Sequence, residues 1–352
     1  MSINHVCKLM LILGCICGIS SVTFAEHFPL LVRAENITVP PSTGPITHIV
    51  VKNQKASSYN CRIRVKYAQD WTISPVEFEV SLKPQETRKI PISVDKAIDL
   101  KSNLYPVEIT VISGDKQKVF KQNVFVATTP VFTPKIDGNL NDWEPAVPIS
   151  FETKGRKTII RTGWNKKYFN VAVEVEEDKL SGYKKNSDKP IDAVQFAIAP
   201  RKTKTPTTTD QKSQRFEFLI VDSPGFMSSD KCFQLMRPGD NIADALKERA
   251  LEPLQIKDAK VVVKRKKNIT VYECSIPLLL IAKLKPMTGR DYLMSFLVHD
   301  PDGTGIRDLG EVSGLWEFQR NKLAWSAWKG VKWQEKPPFD SKLEWGFCTT
   351  KY

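Results

Sequence analysis

The sequence predicts an all-β chain, folded as two β-sandwich domains with few short helices. Three observations carry that expectation. Short runs rich in β-branched and aromatic residues recur along most of the 352 residues. Polar and glycine- or proline-containing turns separate them at regular spacing, the pattern of antiparallel sandwiches. Few windows carry apolar residues at the helical period. The length suits two or three domains, and a hydrophobic content of 41 % is enough for real cores.

The first domain is expected over residues 26–128. Its strands are read from "ITHIVVKN" (46–53), "YNCRIRVKYA" (59–68), "VEFEVSLKP" (76–84), "TRKIPISVD" (87–95), "LYPVEITVISG" (104–114) and "KVFKQNVFVAT" (118–128). Trp71 is assigned to its core. Residues 129–135, with two prolines, read as a short stiff linker. The second domain then takes 136–352. Its strands are "KTIIRTGWN" (157–165), "YFNVAVEVEED" (168–178), "DAVQFAIAP" (192–200), "QRFEFLIVD" (214–222), "AKVVVKRK" (259–266), "ITVYECSIP" (269–277) and "YLMSFLVHD" (292–300). "IADALKERA" (242–250) is the main helical candidate, and "PLLLIAKL" (277–284) reads as one turn opened by a proline.

That second domain opens with "PKIDGNLNDWEPAVPI" (134–149). Asp137–Gly138 suits a tight turn, Asp142 suits a backbone cap, and Trp143 an apolar plug that seals a sheet edge. Trp164 is likewise assigned to packing.

Residues 1–25 read as a targeting signal: a weakly basic start, the apolar run "LMLILGCICGI" (9–19), and small residues before Glu26. Cys15 after Gly14 leaves a lipoprotein signal as an alternative. The chain is therefore expected to be exported, to the periplasm, cell surface or medium, as in bacteria. No later segment is long and apolar enough to predict a membrane span. Of seven cysteines, Cys61, Cys232, Cys274 and Cys348 would remain after cleavage, without metal-like spacing. Cys232 with Cys274 is the first pair to test for a disulfide; buried free thiols are the other reading.

The net charge of +13 is spread along the chain, with runs at 201–205 and 264–267. It reads as a solvated basic surface, against a polyanion site as the second reading. No nucleic-acid motif is present. Nor is there a GxSxG, HExxH, P-loop or dinucleotide fingerprint, and no enzyme activity is expected.

"ISPVEFEVSLKPQETRKIPISV" resembles the immunoglobulin-like sandwiches that accompany bacterial carbohydrate-active enzymes, through Trp71, Pro75, Leu82, Pro84, Glu86, Thr87, Ile92 and Val94. Farther on, "IDGNLNDWEPA", "GWNKKYFNVAVEVEED", "DAVQFAIAP" and "YECSIPLLLIAKLKPMTGRDYLMSFLVHDPDG" occur in that order. Together, from 134 to about 330, they resemble the family 9 carbohydrate-binding modules and the DOMON-like β-sandwich superfamily around them. That resemblance implies a sugar clamped between two tryptophans. The chain departs from the pattern at one of them, where Lys189 and Pro190 stand. Gln195 stands where the family has an acidic residue, and Glu217 about where it has an arginine.

The second tryptophan has candidates, since five of the eight tryptophans lie between 316 and 345. Trp316, Trp333 and Trp345 are assigned to packing. Trp325 and Trp328, three apart, are expected to share an outward face and stack on a sugar, with Arg320, Lys322 and Gln195 as polar contacts. The same resemblance implies structural calcium, for which Asp178, Asp192 and Asp300 are the candidate ligands among the strand-end carboxylates. A haem pair is not expected, since nothing fixes His299 beside Met227 or Met236. The expected function is thus recognition of a poly- or oligosaccharide without catalysis. The alternative is an envelope or cell-surface scaffold whose sugar site has decayed, with a protein partner.

Overall fold

The computed structural model describes residues 28–68, 70–201, 212–225, 229–313, 325–333, 338 and 341–348. The signal-like stretch, Met227, Trp316, Arg320 and Lys322 lie outside them. Strands dominate. In the N-terminal part they are β1 (Leu30–Ala34), β2 (Ile46–Asn53), β3 (Tyr59–Lys66), β4 (Thr72–Ser74), β5 (Glu77–Leu82), β6 (Thr87–Lys96), β7 (Tyr105–Ser113) and β8 (Lys116–Val124). They form two four-stranded sheets, β1-β2-β6-β4 and β5-β3-β7-β8. Strict alternation drives the packing: along β3, Cys61, Ile63 and Val65 point inward and Arg62, Arg64 and Lys66 outward. Trp71 is half-buried against this core and stacks on Tyr67 at 5.3 Å.

The remaining strands are β9 (Thr128–Thr129), β10 (Ile149–Thr153), β11 (Arg156–Trp164), β12 (Tyr168–Glu176), β13 (Ala193–Pro200), β14 (Phe216–Val221), β15 (Lys231–Met236), β16 (Lys260–Lys266), β17 (Ile269–Pro277), β18 (Asp291–Asp300), β19 (Gly305–Asp308) and β20 (Leu343–Phe347). One sheet runs β10-β11-β12-β17-β16; the other runs β15-β14-β13-β18-β20-β9, with β19 on β18. Val171, Val173, Phe196, Phe218, Phe296 and Trp345 meet between them in one large core. No helix among the described residues is long and apolar enough to cross a membrane.

The helix expected over 242–250 shrinks to Ile242–Ala245. Asn241 caps it through Ala243 N–H, but so short a segment has little stability of its own and the chain leaves the helix at Leu246. Leu278–Leu284 forms a 3-10 turn after Pro277.

Segment 129–135 is held down. Thr128–Thr129 pairs parallel with Gly346–Phe347, and Phe132 and Trp164 exchange backbone hydrogen bonds with Trp164 and Pro130. Polar side chains also join the two sandwiches. Buried Glu344 accepts from Arg33, and buried Glu35 faces Lys89, Arg201 and His48. Asn103 bridges the carbonyls of Val126 and Pro148.

The opening motif folds as its residues suggest, around an unanticipated partner. Gly138 takes φ +80°, the left-handed turn conformation. Trp143 is buried against Ala146, Ala172 and Phe132. Its indole N–H donates to Glu273 Oε1 at 2.6 Å, while Glu273 Oε2 accepts from Asp137 N–H at 3.0 Å and from Gly138 N–H. One buried carboxylate thus ties the entry turn to β17. Glu273→Gln keeps the shape but turns one acceptor into a donor aimed at N–H groups. It is expected to cost about 1–2 kcal/mol in urea unfolding.

Candidate functional site

Two polar clusters sit inside the second sandwich. The first lies where β12, the loop before β13 and the end of β18 converge. β12 alternates, so Val173, Val175 and then Glu177 turn inward. Asp192 precedes β13 and Asp300 ends β18. Single ligand atoms of Glu177, Asp192 and Asp300 all lie within 4.8 Å of one another, and the residues are 1 %, 0 % and 2 % exposed.

The three carboxylates share a design. Each spends one oxygen on the protein and leaves the other without a partner. Asp300 Oδ2 accepts from Thr304 N–H at 2.9 Å, Thr304 O–H at 2.8 Å and Arg307 at 2.7 Å. Asp192 Oδ2 accepts from Ser181 N–H. Glu177 Oε1 faces Arg265 at 3.4 Å. Glu177 Oε2, Asp192 Oδ1 and Asp300 Oδ1 are buried with no hydrogen-bond partner. Orphaned buried oxygens are costly, and three of them together need a positive occupant or protons.

The titration behaviour agrees. Burial pushes Glu177 up to about 8, reinforced by the charges of Asp192 and Asp300. Burial likewise pushes Asp192 up to about 7, with Asp302 and Asp300 adding to it. Burial acts on Asp300 too, but the Thr304 and Arg307 hydrogen bonds outweigh it and hold that carboxyl below its ordinary value. An all-oxygen donor set of this charge fits a hard cation such as calcium, not a soft thiolate-seeking metal.

Asp192 and Asp300 are brought together by the fold; Asp178 is not. It falls on the other parity of the strand, 67 % exposed at its side chain, and pairs with Arg156 at 2.7 Å. Glu177 takes its place. The alternation of "VAVEVEED" carries the signal for that exchange, since one residue's shift moves a side chain to the opposite face.

The second cluster covers the other face of β13, β14 and β18. Gln195 Nε2 donates to Glu217 Oε1 at 2.6 Å and to the Ser326 carbonyl at 3.3 Å. Gln195 Oε1 accepts from Trp328 Nε1 at 3.2 Å and meets His299 Nε2 at 2.8 Å. Burial pushes His299 down to about 3, so the ring is neutral and its Nε2–H is the donor to that oxygen. Glu217 also accepts from Arg215 at 2.8 Å, from Ser326 N–H at 2.8 Å and from Ser326 O–H at 3.0 Å. Gln195, Glu217, Arg215, Ser326 and His299 are all buried.

The segment around Ser326 seals this cluster with the two indoles expected to face outward. Trp325 and Trp328 are each 0 % exposed, which overturns their placement as an outward stacking pair. Both turn inward onto the sheet, into different hollows. Trp325 packs on Ala197 and Leu297, while Trp328 packs with Tyr183, Leu219 and Phe233. Large apolar rings gain more from filling those two hollows than from water. Gln195, the expected polar contact, has both its hydrogens and its oxygen committed internally. Trp333 is half-buried beside His299, their rings 5.6 Å apart, and Trp345 is buried in the main core.

No family model matches the chain, and no curated protein matches it in sequence. Among solved structures, it is similar to a family 9 carbohydrate-binding module from Caldicellulosiruptor kristjanssonii in complex with cellotriose. That likeness has 14 % identity over 63 % of this chain and 93 % of that one, at a TM-score of 0.38. A family 9 carbohydrate-binding module from the same organism in complex with glucose gives 12 % identity, 63 % and 95 % coverage and a TM-score of 0.36. The Escherichia coli chaperone DraB gives 13 % identity, 42 % and 90 % coverage and a TM-score of 0.23. Likenesses this loose leave function to the residues themselves.

Proposed function

We propose that this chain is an exported, non-catalytic β-sandwich protein that acts as an envelope or cell-surface interaction scaffold. In this reading its second sandwich holds a structural hard cation, and the position of a sugar site has been taken over by the chain itself. The observation that carries the reading is Ser326 and Trp328 seated on Gln195 and Glu217, where a ligand would need free polar groups. A carbohydrate stacked on exposed indoles would bind by covering flat apolar rings; here those rings are already covered.

Affinity electrophoresis and glycan arrays, run with calcium present, test it. The expected result is no retention by soluble glucans or other polysaccharides. Glycan-dependent retardation lost on Trp325→Ala or Trp328→Ala, in protein that remains folded by circular dichroism, would restore the carbohydrate-binding reading instead.

A further inference from the structure

Cys232 and Cys274 come from β15 and β17, which belong to opposite sheets. Both point inward. Cys232 stands in register with Ile220, and Cys274 with Val171 and Val261, and both thiols enter the main core at 1 % and 0 % exposure. The two sheets close up at this side of the sandwich, where β14 lies against β17 and β15 against β16. There Cys274 and Cys232 are close enough for their thiols to interact. The other two described cysteines lie elsewhere, Cys61 in the N-terminal core and Cys348 beside Thr129.

We propose that Cys232 and Cys274 are a disulfide site, an inter-sheet staple that closes when the chain folds under oxidising conditions. The oxidant is a small-molecule disulfide such as oxidised glutathione. One cysteine, as thiolate, attacks a glutathione sulfur and expels one glutathione thiol. The second cysteine then attacks the protein-side sulfur of that mixed disulfide and expels the other. One disulfide forms, one is reduced, and the two thiol protons leave on the two glutathiones. In the folded chain both sulfurs are out of reach, and burial holds Cys274 in its unreactive protonated form. The exchange therefore belongs to folding, not to the native state. The site joins strands about forty residues apart, so it constrains a long stretch of the unfolded chain.

The test is to refold the full chain from denaturant into oxidised and reduced glutathione, alkylate, and digest without reduction. Mass spectrometry is expected to find the Cys232 peptide joined to the Cys274 peptide, two hydrogens lighter than the separate pair. The oxidised protein is expected to melt higher than the reduced one by roughly 5 °C or more. That rise should vanish in the Cys232→Ala/Cys274→Ala variant and persist in Cys61→Ala. Alkylation of both cysteines after oxidative refolding, or a link from either to any other cysteine, overturns the proposal. The mapping uses the unaltered chain, so it decides the matter even where a variant fails to fold.

Discussion

Removing divalent cations with a chelator is expected to lower the melting temperature of this protein, and by more at pH 8 than at pH 5. The reason is the trio of orphaned oxygens on Glu177, Asp192 and Asp300. A cation that binds only the folded state adds RT ln(1 + [L]/Kd), about 2.7 kcal/mol at a hundredfold excess over Kd. For a chain of 352 residues that corresponds to roughly 4 °C. The pH dependence follows from linkage. Glu177 and Asp192 have folded pKa values raised to about 8 and about 7, so the cation-free fold holds protons that the unfolded chain gives up. Their stabilising share is complete below the ordinary carboxylate range, near pH 4, and is lost as pH rises to about 8. Asp300, held below its ordinary value, acts in the opposite sense and only in acid. The chelated protein should therefore lose stability steadily between pH 4 and 8, and calcium should abolish that loss.

Asp192→Asn separates this account from simple packing. It removes one buried charge and one hard donor. In chelator at pH 8 the variant should be no less stable than the parent, since the amide does not suffer the burial penalty of the carboxylate. In calcium it should gain little or nothing. Differential scanning fluorimetry across pH 5–9, with calcium and with chelator, reads both. An unchanged melting temperature on adding calcium at every pH, with Asp192→Asn destabilising throughout, would rule the cation site out.

Much of the architecture is legible in the residues because burial on one face imposes period two. The run at 59–66 announces itself in this way and forms a strand. β13 and β14 are buried on both faces, one toward the main core and one under the 325–333 segment, and there apolar residues fall on both parities, broken by Gln195 and Glu217. Site detail is less legible. Asp192 and Asp300 stand at strand ends, where carboxylates collect for many reasons, and only parity distinguishes Glu177 from Asp178. The role of Glu273 has no local signal. Its partners lie about 130 residues earlier, at Asp137, Gly138 and Trp143. Tryptophan is the hardest to read, because one large flat ring suits a sugar face and a core hollow equally, and composition alone does not tell which surface it meets.

That ambiguity yields the second large effect. Trp328→Ala is expected to destabilise the protein by about 3–5 kcal/mol, the usual cost of truncating a buried large aromatic. Trp325→Ala should fall in the same range. Trp328 carries the additional loss of its indole hydrogen bond to Gln195 Oε1, an oxygen that then keeps only His299 as a partner. Both rings sit on the one segment that Ser326 anchors to Glu217, so once one is lost the other holds less, and the double substitution should cost less than the sum of the two. Urea unfolding monitored by circular dichroism measures this, since intrinsic fluorescence changes with the tryptophan count. A stacking pair facing solvent gives the opposite pattern: each alanine would cost under about 0.5 kcal/mol, because surface positions away from special features rarely cost more. The size of the loss therefore discriminates inward from outward indoles without any ligand in hand. Should both variants unfold at the parental urea concentration, the segment does not seal Gln195 and Glu217, and that polar face is open to a ligand after all.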